Sequence, residues 1–246
     1  MKKSLKISGL VLFVIIVFFS CKKESDDELT SSINTVVFNP NVSYGSMTDQ
    51  EGNVYKTVSI GTQTWMAENL RTSKYNDGTD IPKIVDDKEW ANLTTGAYCN
   101  LLNIENTEII AIFGHYYNWY AVNTSKLAPK GWHVPTDADW TKLFDYLGGQ
   151  YIAGTKLKET GTNHWSGSNN ESTNETGFTA LPGGERYISY IGTGEFGGGA
   201  ATGCWWSATE CTTDLSWAQV MYNSDAIVYH LGTDKPNGLS VRLVKD

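Results

Sequence analysis

The chain has 246 residues, with 27 Asp and Glu against 19 Lys and Arg, a formal net charge of -8. Nucleic acid is excluded as a partner, because neutralising several phosphates takes a basic surface and no Lys/Arg cluster lies beyond Lys23. About 200 residues behind a leader can enclose one sizeable core, and 24 Gly, 13 Tyr and 9 Trp point to short strands, tight loops and an aromatic interior more than to long helices.

The cationic start Met1-Lys2-Lys3-Ser4-Leu5-Lys6 leads into uninterrupted apolar residues from Leu10 to Phe19 and then Ser20-Cys21. This is the layout of an export signal, placed at residues 1–20. Roughly ten apolar residues are too few for a permanent span, which needs about twenty. Lys22, Lys23, Glu24, Asp26, Asp27 and Glu28 follow at once and exclude a buried core helix. The small residue directly before Cys21 resembles the bacterial lipoprotein cleavage site, although Phe18 stands where Leu is usual three positions before the cysteine. The resemblance implies acylation of Cys21 and attachment to a membrane through lipid, each buried methylene contributing about 0.8 kcal/mol. The acidic cluster Glu24-Ser25-Asp26-Asp27-Glu28 resembles the tether of lipoproteins of the Bacteroidota type, which implies the outer membrane, facing the cell exterior. Loss of Lys2, Lys3 and Lys6 with the signal takes the mature charge to about -11.

Residues 21–46 show no sustained period and read as an acidic, polar tether, with Val36-Val37-Phe38 as a short apolar patch and room for one edge strand. The folded domain is expected over 47–246. Asp49-Gln50-Glu51-Gly52-Asn53 reads as a turn, and Val54–Ile60 alternates at the strand period before Gly61-Thr62-Gln63 and a second strand through Trp65-Met66-Ala67, so a hairpin opens the domain. Asn76-Asp77-Gly78-Thr79 is a further turn signature. Two helices are expected. One spans Tyr116–Val122, aromatic on nearly every side; the other starts at Thr136, with a hydroxyl cap and early carboxylates, an apolar stripe at Trp140, Leu143, Phe144 and Leu147, and a stop at Gly148-Gly149. No comparable helix is expected after Gly149, and alternation over Leu239–Val244 predicts a closing strand with one buried face.

With Cys21 acylated, Cys99, Cys204 and Cys211 remain, and three cannot all pair within one chain. Cys204 and Cys211 flank six residues, a spacing that leaves a small disulfide loop open in an oxidising compartment, with Cys99 a buried thiol that has no activating base beside it.

The segments GTQTWMAENLR, YNDGTDIP, GAYCN, NWYAVNTSKLAPKGWHVPTDADWTKLFDYLGG, AGTKLKETGTNHW, NETGFTALPGGERY, WWSATE and NGLSVRLVKD resemble, in this order, the Fibrobacter succinogenes major paralogous domain. The resemblance implies a secreted or lipid-anchored bacterial protein and carries no activity with it. More distantly, HVPTDADWTKLFDYLGG and NGLSVRLVKD are similar to segments of formylglycine-generating-enzyme-type domains. That likeness implies an α+β, C-type-lectin-like fold: two helices, small antiparallel sheets that pair the chain ends, and a long loop-rich region. Function does not travel with such an architecture.

Gly192-Thr193-Gly194-Glu195-Phe196-Gly197 has dinucleotide-binding spacing but no strand before or helix after it, and reads as a flexible loop. His115, His133, His164 and His230 show no metal-ligand spacing, and His133, between Trp132 and Val134, reads as a hydrogen-bonded core residue rather than a base. The calcium triplet of C-type lectins has its nearest counterpart in Lys235-Pro236-Asn237, where Lys offers no oxygen. The copper cysteine pair of formylglycine-generating enzymes is not matched by Cys204 and Cys211. Trp205, Trp206, Trp217, Tyr222 and Tyr229 lie among Asn, Ser, Thr and Asp and are the candidate ligand-binding residues, because aromatic faces beside polar groups stack sugars or grip peptides. Strand alternation sends Trp205 and Trp206 to opposite sides. The expected function is a non-enzymatic surface binding or adhesion module for polysaccharide or an envelope protein, without metal or cofactor. The alternatives are a formylglycine-generating-type oxidoreductase and a purely structural envelope component.

Overall fold

The hairpin β2 (Val54–Ile60) and β3 (Gln63–Met66) turns at Gly61, whose φ of 60° lies in the left-handed region that glycine enters without a Cβ clash. The structure, a computed structural model, describes residues 35–167 and 169–246. The expected export signal, Cys21 and most of the tether lie outside the described residues. β1 (Gly45–Thr48) adds to the outer edge of β2, and the last strand, β12 (Val244–Lys245), sits between β3 and β6 (Trp132–His133), giving the order β1-β2-β3-β12-β6. Val244 pairs with both Trp65 and His133, so the end of the chain closes the sheet that its beginning opens.

Three antiparallel strands, β9 (Thr202–Glu210), β10 (Leu215–Tyr222) and β11 (Val228–Asp234), form a second sheet in the order β11-β10-β9. Two smaller hairpin-like pairs complete the strands, β4 (Tyr98–Asn100) with β5 (His115–Tyr117), and β7 (Glu185–Ile188) with β8 (Gly194–Gly197). The fold class is therefore α+β with several small antiparallel sheets, and among the described residues five helices accompany them.

The helix that begins after Thr136 forms as the sequence predicts, as Asp137–Tyr146. Asp139 N–H donates to Thr136 Oγ1 and Thr136 N–H donates to Asp139 Oδ2, a reciprocal capping box, and Trp140, Leu143 and Phe144 are buried. The other expected helix is corrected. Tyr116 and Tyr117 belong to β5, and only Trp119–Val122 is helical, because the Asn118 side chain caps Ala121 N–H and starts a new turn there. Three helices escaped the sequence reading: Asp87–Ala91 and Thr107–Phe113, started by the Asp86 and Asn106 side chains, and Gln150–Leu157. In chain order the five are α1 (Asp87–Ala91), α2 (Thr107–Phe113), α3 (Trp119–Val122), α4 (Asp137–Tyr146) and α5 (Gln150–Leu157). α5 has no side-chain cap and exposes Tyr151 and Ile152, so neither a start signal nor an apolar stripe marks it. It is held by Gly154, whose N–H donates to Ala226 O at 2.8 Å, and an added Cβ there would stand 2.7 Å from that oxygen.

Two further expectations change. Residues 35–46 are not all tether: Phe38, Val42 and Tyr44 pack on the core, and Val37 N–H donates to Glu159 Oε1 at 2.7 Å. The closing segment is not a strand with one buried face. Residues 237–244 are buried throughout, bridging to Tyr117 through Leu239 and to Trp205 through Ser240.

The second sheet divides the core. Trp206 faces a cluster with Tyr117, Trp119, Val220 and Leu243, and Trp205 faces another with Trp65, Trp140, Trp165 and Phe178. Between them Arg242 is wholly buried. Its guanidinium donates to Asn69 Oδ1 and to the carbonyls of Met66, Phe178 and Thr179 at 2.7–3.0 Å, and lies 4.6 Å from the Phe178 ring centroid.

Candidate functional site

β10 carries two of the five aromatic candidates, Trp217 and Tyr222, and pairs with the strands that carry the other three, and its register shows that they cannot form one surface. Gln219 pairs with Trp205 and His230, whereas Ala218 pairs with Trp206 and Val220 with Tyr229. Trp205, Trp217 and His230 thus share one face of the sheet, and Trp206, Tyr222 and Tyr229 the other. Trp205 and Trp206 are fully buried, so the expectation that they bind ligand is corrected. Each indole N–H is also spent internally, on Asn69 Oδ1 at 3.0 Å and Tyr117 O at 2.7 Å. The alternation itself holds, but the outward side is a second packed layer and not solvent.

Trp217 is half-buried and stacks on the exposed His230 ring, with centroids 4.0 Å apart and planes 23° apart. His230 Nε2 lies 2.9 Å from Asp137 Oδ2 at the start of α4. Tyr222 and Tyr229 stay partly exposed and meet edge to face with centroids 5.3 Å apart. Tyr229 OH donates to Asp225 Oδ2 at 3.1 Å.

Asp225 joins this tyrosine pair to a polar pocket of about 240 Å³, lined by Thr155, Lys158, Glu171, Ser172, Asn223, Ser224 and Asp225. Three segments build it: α5, whose Gly154 docks against the β10–β11 connection, that connection itself, and the 3-10 turn Asn169–Glu171 with Ser172 after it. Its groups are held before any ligand arrives. Asn223 Nδ2 donates to Ser166 O at 2.6 Å, Ser172 Oγ to Asn169 Oδ1 at 2.5 Å, and Asp225 Oδ1 accepts Ile227 N–H at 2.9 Å. Lys158 is 2 % exposed, and its Nζ donates to the carbonyls of Tyr222 and Asp225, each at 2.8 Å. Burial pulls the Lys158 pKa below the usual lysine range, against the opposing pull of Asp225 and Glu171. A pocket so lined offers hydrogen-bond donors and acceptors at short range, the chemistry that holds a hydroxylated ligand in a fixed orientation.

A second cleft, of about 230 Å³, lies at Val122, Leu127, Trp132, His133, Val134 and Ala208. His133 there is hydrogen-bonded, to Asp246 Oδ1 at 2.7 Å and Asp139 Oδ2 at 3.2 Å, but its ring is 40 % exposed, which corrects its expected core placement.

The cysteine expectations separate. Cys99 is a buried thiol whose pKa burial pushes up to about 12, and Cys204 is likewise buried and raised. The Cys204–Cys211 disulfide left open by spacing is corrected. Cys204 lies opposite Val220 and Cys211 N–H donates to Leu215 O, so five residues of β10 place the two thiols roughly 16 Å apart, where a disulfide needs α-carbons within about 7 Å. The same separation keeps these thiols from converging on one metal. Among the described residues no group of three His, Cys, Asp or Glu side chains is placed to hold a metal ion. Lys235 donates to Glu210 and to Thr213 O, which ties the Lys235-Pro236-Asn237 string into the fold. Gly194–Gly197 forms strand β8 against β7, so four of the six residues of the glycine string expected to be a flexible loop are strand, and only a 3-10 turn at Gly199–Ala201 stands where a phosphate-binding helix would follow.

Sequence reasoning found Tyr222 and Tyr229 but missed Lys158, Glu171 and the turn Asn223-Ser224-Asp225. The turn had a composition signal; a lysine directly after an apolar residue at a helix end gives no sign of its burial. Among the described residues no helix is long and apolar enough to cross a membrane. The family model described as Fibrobacter succinogenes major domain matches residues 58–245. No curated protein and no solved structure matches the chain significantly.

Proposed function

We propose a binding function for this chain, which belongs to the Fibrobacter succinogenes major domain family: an exported module, anchored by lipid on Cys21 in the outer membrane and facing the cell exterior, that takes a neutral, hydroxyl-rich ligand such as a sugar unit of an extracellular polysaccharide. The observation that carries this reading is the pocket at Lys158 and Asp225, with hydroxyl, amide and carboxylate groups on its wall and the Tyr222–Tyr229 pair reached through Asp225. A strongly acidic chain disfavours polyanions at long range, and neutral sugars carry no such penalty. The reading is non-enzymatic. The buried, proton-retaining thiols of Cys99 and Cys204 offer no nucleophile, and Cys204 and Cys211 do not converge as an oxidase pair would need. The architecture belongs, on this proposal, to the C-type-lectin-like group of formylglycine-generating type. The pairing of terminal strand β12 with β3, and the long irregular stretches between α5 and β9, support that assignment.

Retention of the purified protein on a panel of immobilised polysaccharides and oligosaccharides tests the binding. At least one neutral glycan should be retained, and Tyr229→Ala or Asp225→Ala should weaken retention roughly tenfold, the equivalent of about 1.4 kcal/mol. Retention that neither substitution alters would remove the pocket from the reading. The anchor is tested by mass spectrometry of protein from membranes: a mature chain beginning at an acylated Cys21 is expected, and an intact Met1 with a free Cys21 thiol would overturn it.

A further inference from the structure

The hairpin of β7 and β8 ends in a tip that departs from the usual chemistry of turns. Gly192 N–H donates to Ser189 O at 2.9 Å and Gly192 takes a φ of 76°, so Tyr190 and Ile191 hold the two central positions. Those positions ordinarily carry Pro, Asp, Asn, Ser or Gly, which suit both the backbone and solvent. Here Tyr190 is 101 % exposed and Ile191 64 %, so the domain gains little packing from either. The tip is nevertheless braced. Ser189 N–H donates to Thr193 O at 2.8 Å, the Ser189 and Thr193 hydroxyls lie 2.8 Å apart, and Thr193 Oγ1 donates to Glu195 Oε1 at 3.1 Å. An apolar pair held out on a fixed support suits an interface anchor, because burying it in a partner costs little ordering. α1 packs beside the base of the hairpin, where an added Gly194 Cβ would stand 2.8 Å from the Trp90 ring. The hairpin and the capped α1 carry Asp86, Asp87, Glu89, Glu185 and Glu195 against Lys88 and Arg186, and Arg186 is spent on Asp87. The knob therefore stands on an acidic collar.

The same chain holds a socket of complementary character. The cleft of about 230 Å³ has apolar walls at Leu127, Trp132, Val134 and Ala208, with room for one aromatic side chain, and Ser125 and Thr136 add hydroxyls that can meet a phenol. Lys245 pairs with Trp132 across β12 and β6, so its side chain leaves the sheet on the same face as the indole. Lys130 is exposed two residues before Trp132. Neither lysine enters an ion pair among the described residues, whereas Asp139 and Asp246 are bonded to His133, and Lys126 to Asp77. The charges left unpaired on this edge are therefore cationic. We propose that Tyr190 and Ile191 of one chain seat in this cleft on a second copy, with the acidic collar facing Lys130 and Lys245 of that copy. The net charge of -8 repels copies at long range, so the contact depends on this local pairing of unlike charge, which also fixes its orientation. Knob and socket lie on different patches, which makes the contact heterologous. Each added copy brings a fresh knob, and chains join head to tail into rings or strings.

Sedimentation velocity on the purified protein, from about 10 µM to about 1 mM, tests the contact. Wild-type chains should form dimers and longer species as concentration rises. Tyr190→Ser should weaken that association roughly tenfold or more. So should Ala208→Phe, which fills the cleft, and Lys245→Glu, an exposed charge reversal that leaves the cleft walls intact. Near-ultraviolet circular dichroism establishes that each variant is folded. An equimolar mixture of the Tyr190→Ser and Ala208→Phe chains keeps one intact knob and one intact socket, and should give a 1:1 dimer that grows no further. Wild-type protein that stays monomeric at about 1 mM, or association that Tyr190→Ser leaves unchanged, overturns the inference. So does a monomeric protein that pellets with phosphatidylcholine vesicles and loses that property with Tyr190→Ser, which would assign the tip to a lipid surface. These variants leave Asp225 and Tyr229 untouched, so glycan retention reports on the sugar pocket separately.

Discussion

Replacing Arg242 with Leu removes four hydrogen bonds from the centre of the domain without creating a large void. The guanidinium holds Asn69 Oδ1 at 2.7 Å and the carbonyls of Met66, Phe178 and Thr179 at 3.0, 2.7 and 2.9 Å. Asn69 Oδ1 keeps a second donor, the Trp205 indole N–H. The Phe178 and Thr179 carbonyls lie outside any strand or helix and lose the donor that Arg242 supplies. Two stranded, buried acceptors cost about 1–3 kcal/mol each. Removing a buried charge with no carboxylate partner returns part of that, since apolar replacement of buried ions is often neutral or better. A net loss of about 3 kcal/mol is expected. With a urea slope of about 2 kcal/mol per molar, the midpoint should fall by roughly 1.5 M. Tryptophan fluorescence reports the transition, because Trp65, Trp140 and Trp205 lie in the adjoining core. Arg242→Lys should lose less but not recover the wild-type midpoint, since a single ammonium cannot reach Asn69 on one side and the 178–179 backbone on the other. A midpoint shift below about 0.5 M for Arg242→Leu, with the slope unchanged, would refute the view that this guanidinium joins the two clusters.

Three further outcomes are expected. Burial of His115, aided by Lys83, lowers its pKa to about 4, and its Nδ1 has no partner among the described residues. The unfolded chain takes up that proton below about 6.5 and the folded chain does not, so stability is full above pH 6.5 and falls by about 3 kcal/mol as pH drops to 4. His115→Gln should flatten that part of the urea-midpoint profile, and an unchanged profile would show that other groups set it. Gly154→Ala would ordinarily favour a helix by about 1 kcal/mol, but its Cβ would stand 2.7 Å from the Ala226 carbonyl oxygen. The substitution should lower the melting temperature and weaken glycan retention by displacing the Asn223–Asp225 turn, and a raised melting temperature would refute the close approach. Of Cys99, Cys204 and Cys211, the half-buried Cys211 alone should react with a disulfide reagent under native conditions, with all three reacting after denaturation; detection of a Cys204–Cys211 bridge would contradict the extended β9.

Local signals and their strength explain which elements could be read beforehand. α4 was legible because its cap, its early carboxylates and its apolar stripe all agree within one short window, and the β2–β3 hairpin because alternation and turn residues coincide. α5 was not legible, since what holds it is a glycine docked against a turn some seventy residues later, an interaction with no local trace. Tyr116 and Tyr117 read as helical because aromatic density marks burial and not period; pairing with Cys99 and Tyr98 decided for strand.

The sequence alone determined that the chain holds an aromatic, glycine-rich domain of short strands and tight loops, where its strongest helix and first hairpin lie, and that Trp205 and Trp206 point opposite ways. These follow from composition and short periods, which are properties of neighbouring residues. Only the tertiary structure decided that both indoles are buried, that Cys204 and Cys211 stay apart, and that Lys158 meets two carbonyls beside Asp225 at a pocket. Solvent exposure and the hydrogen-bond partners of a buried group are set by whichever distant segment packs against it, and no local pattern encodes that.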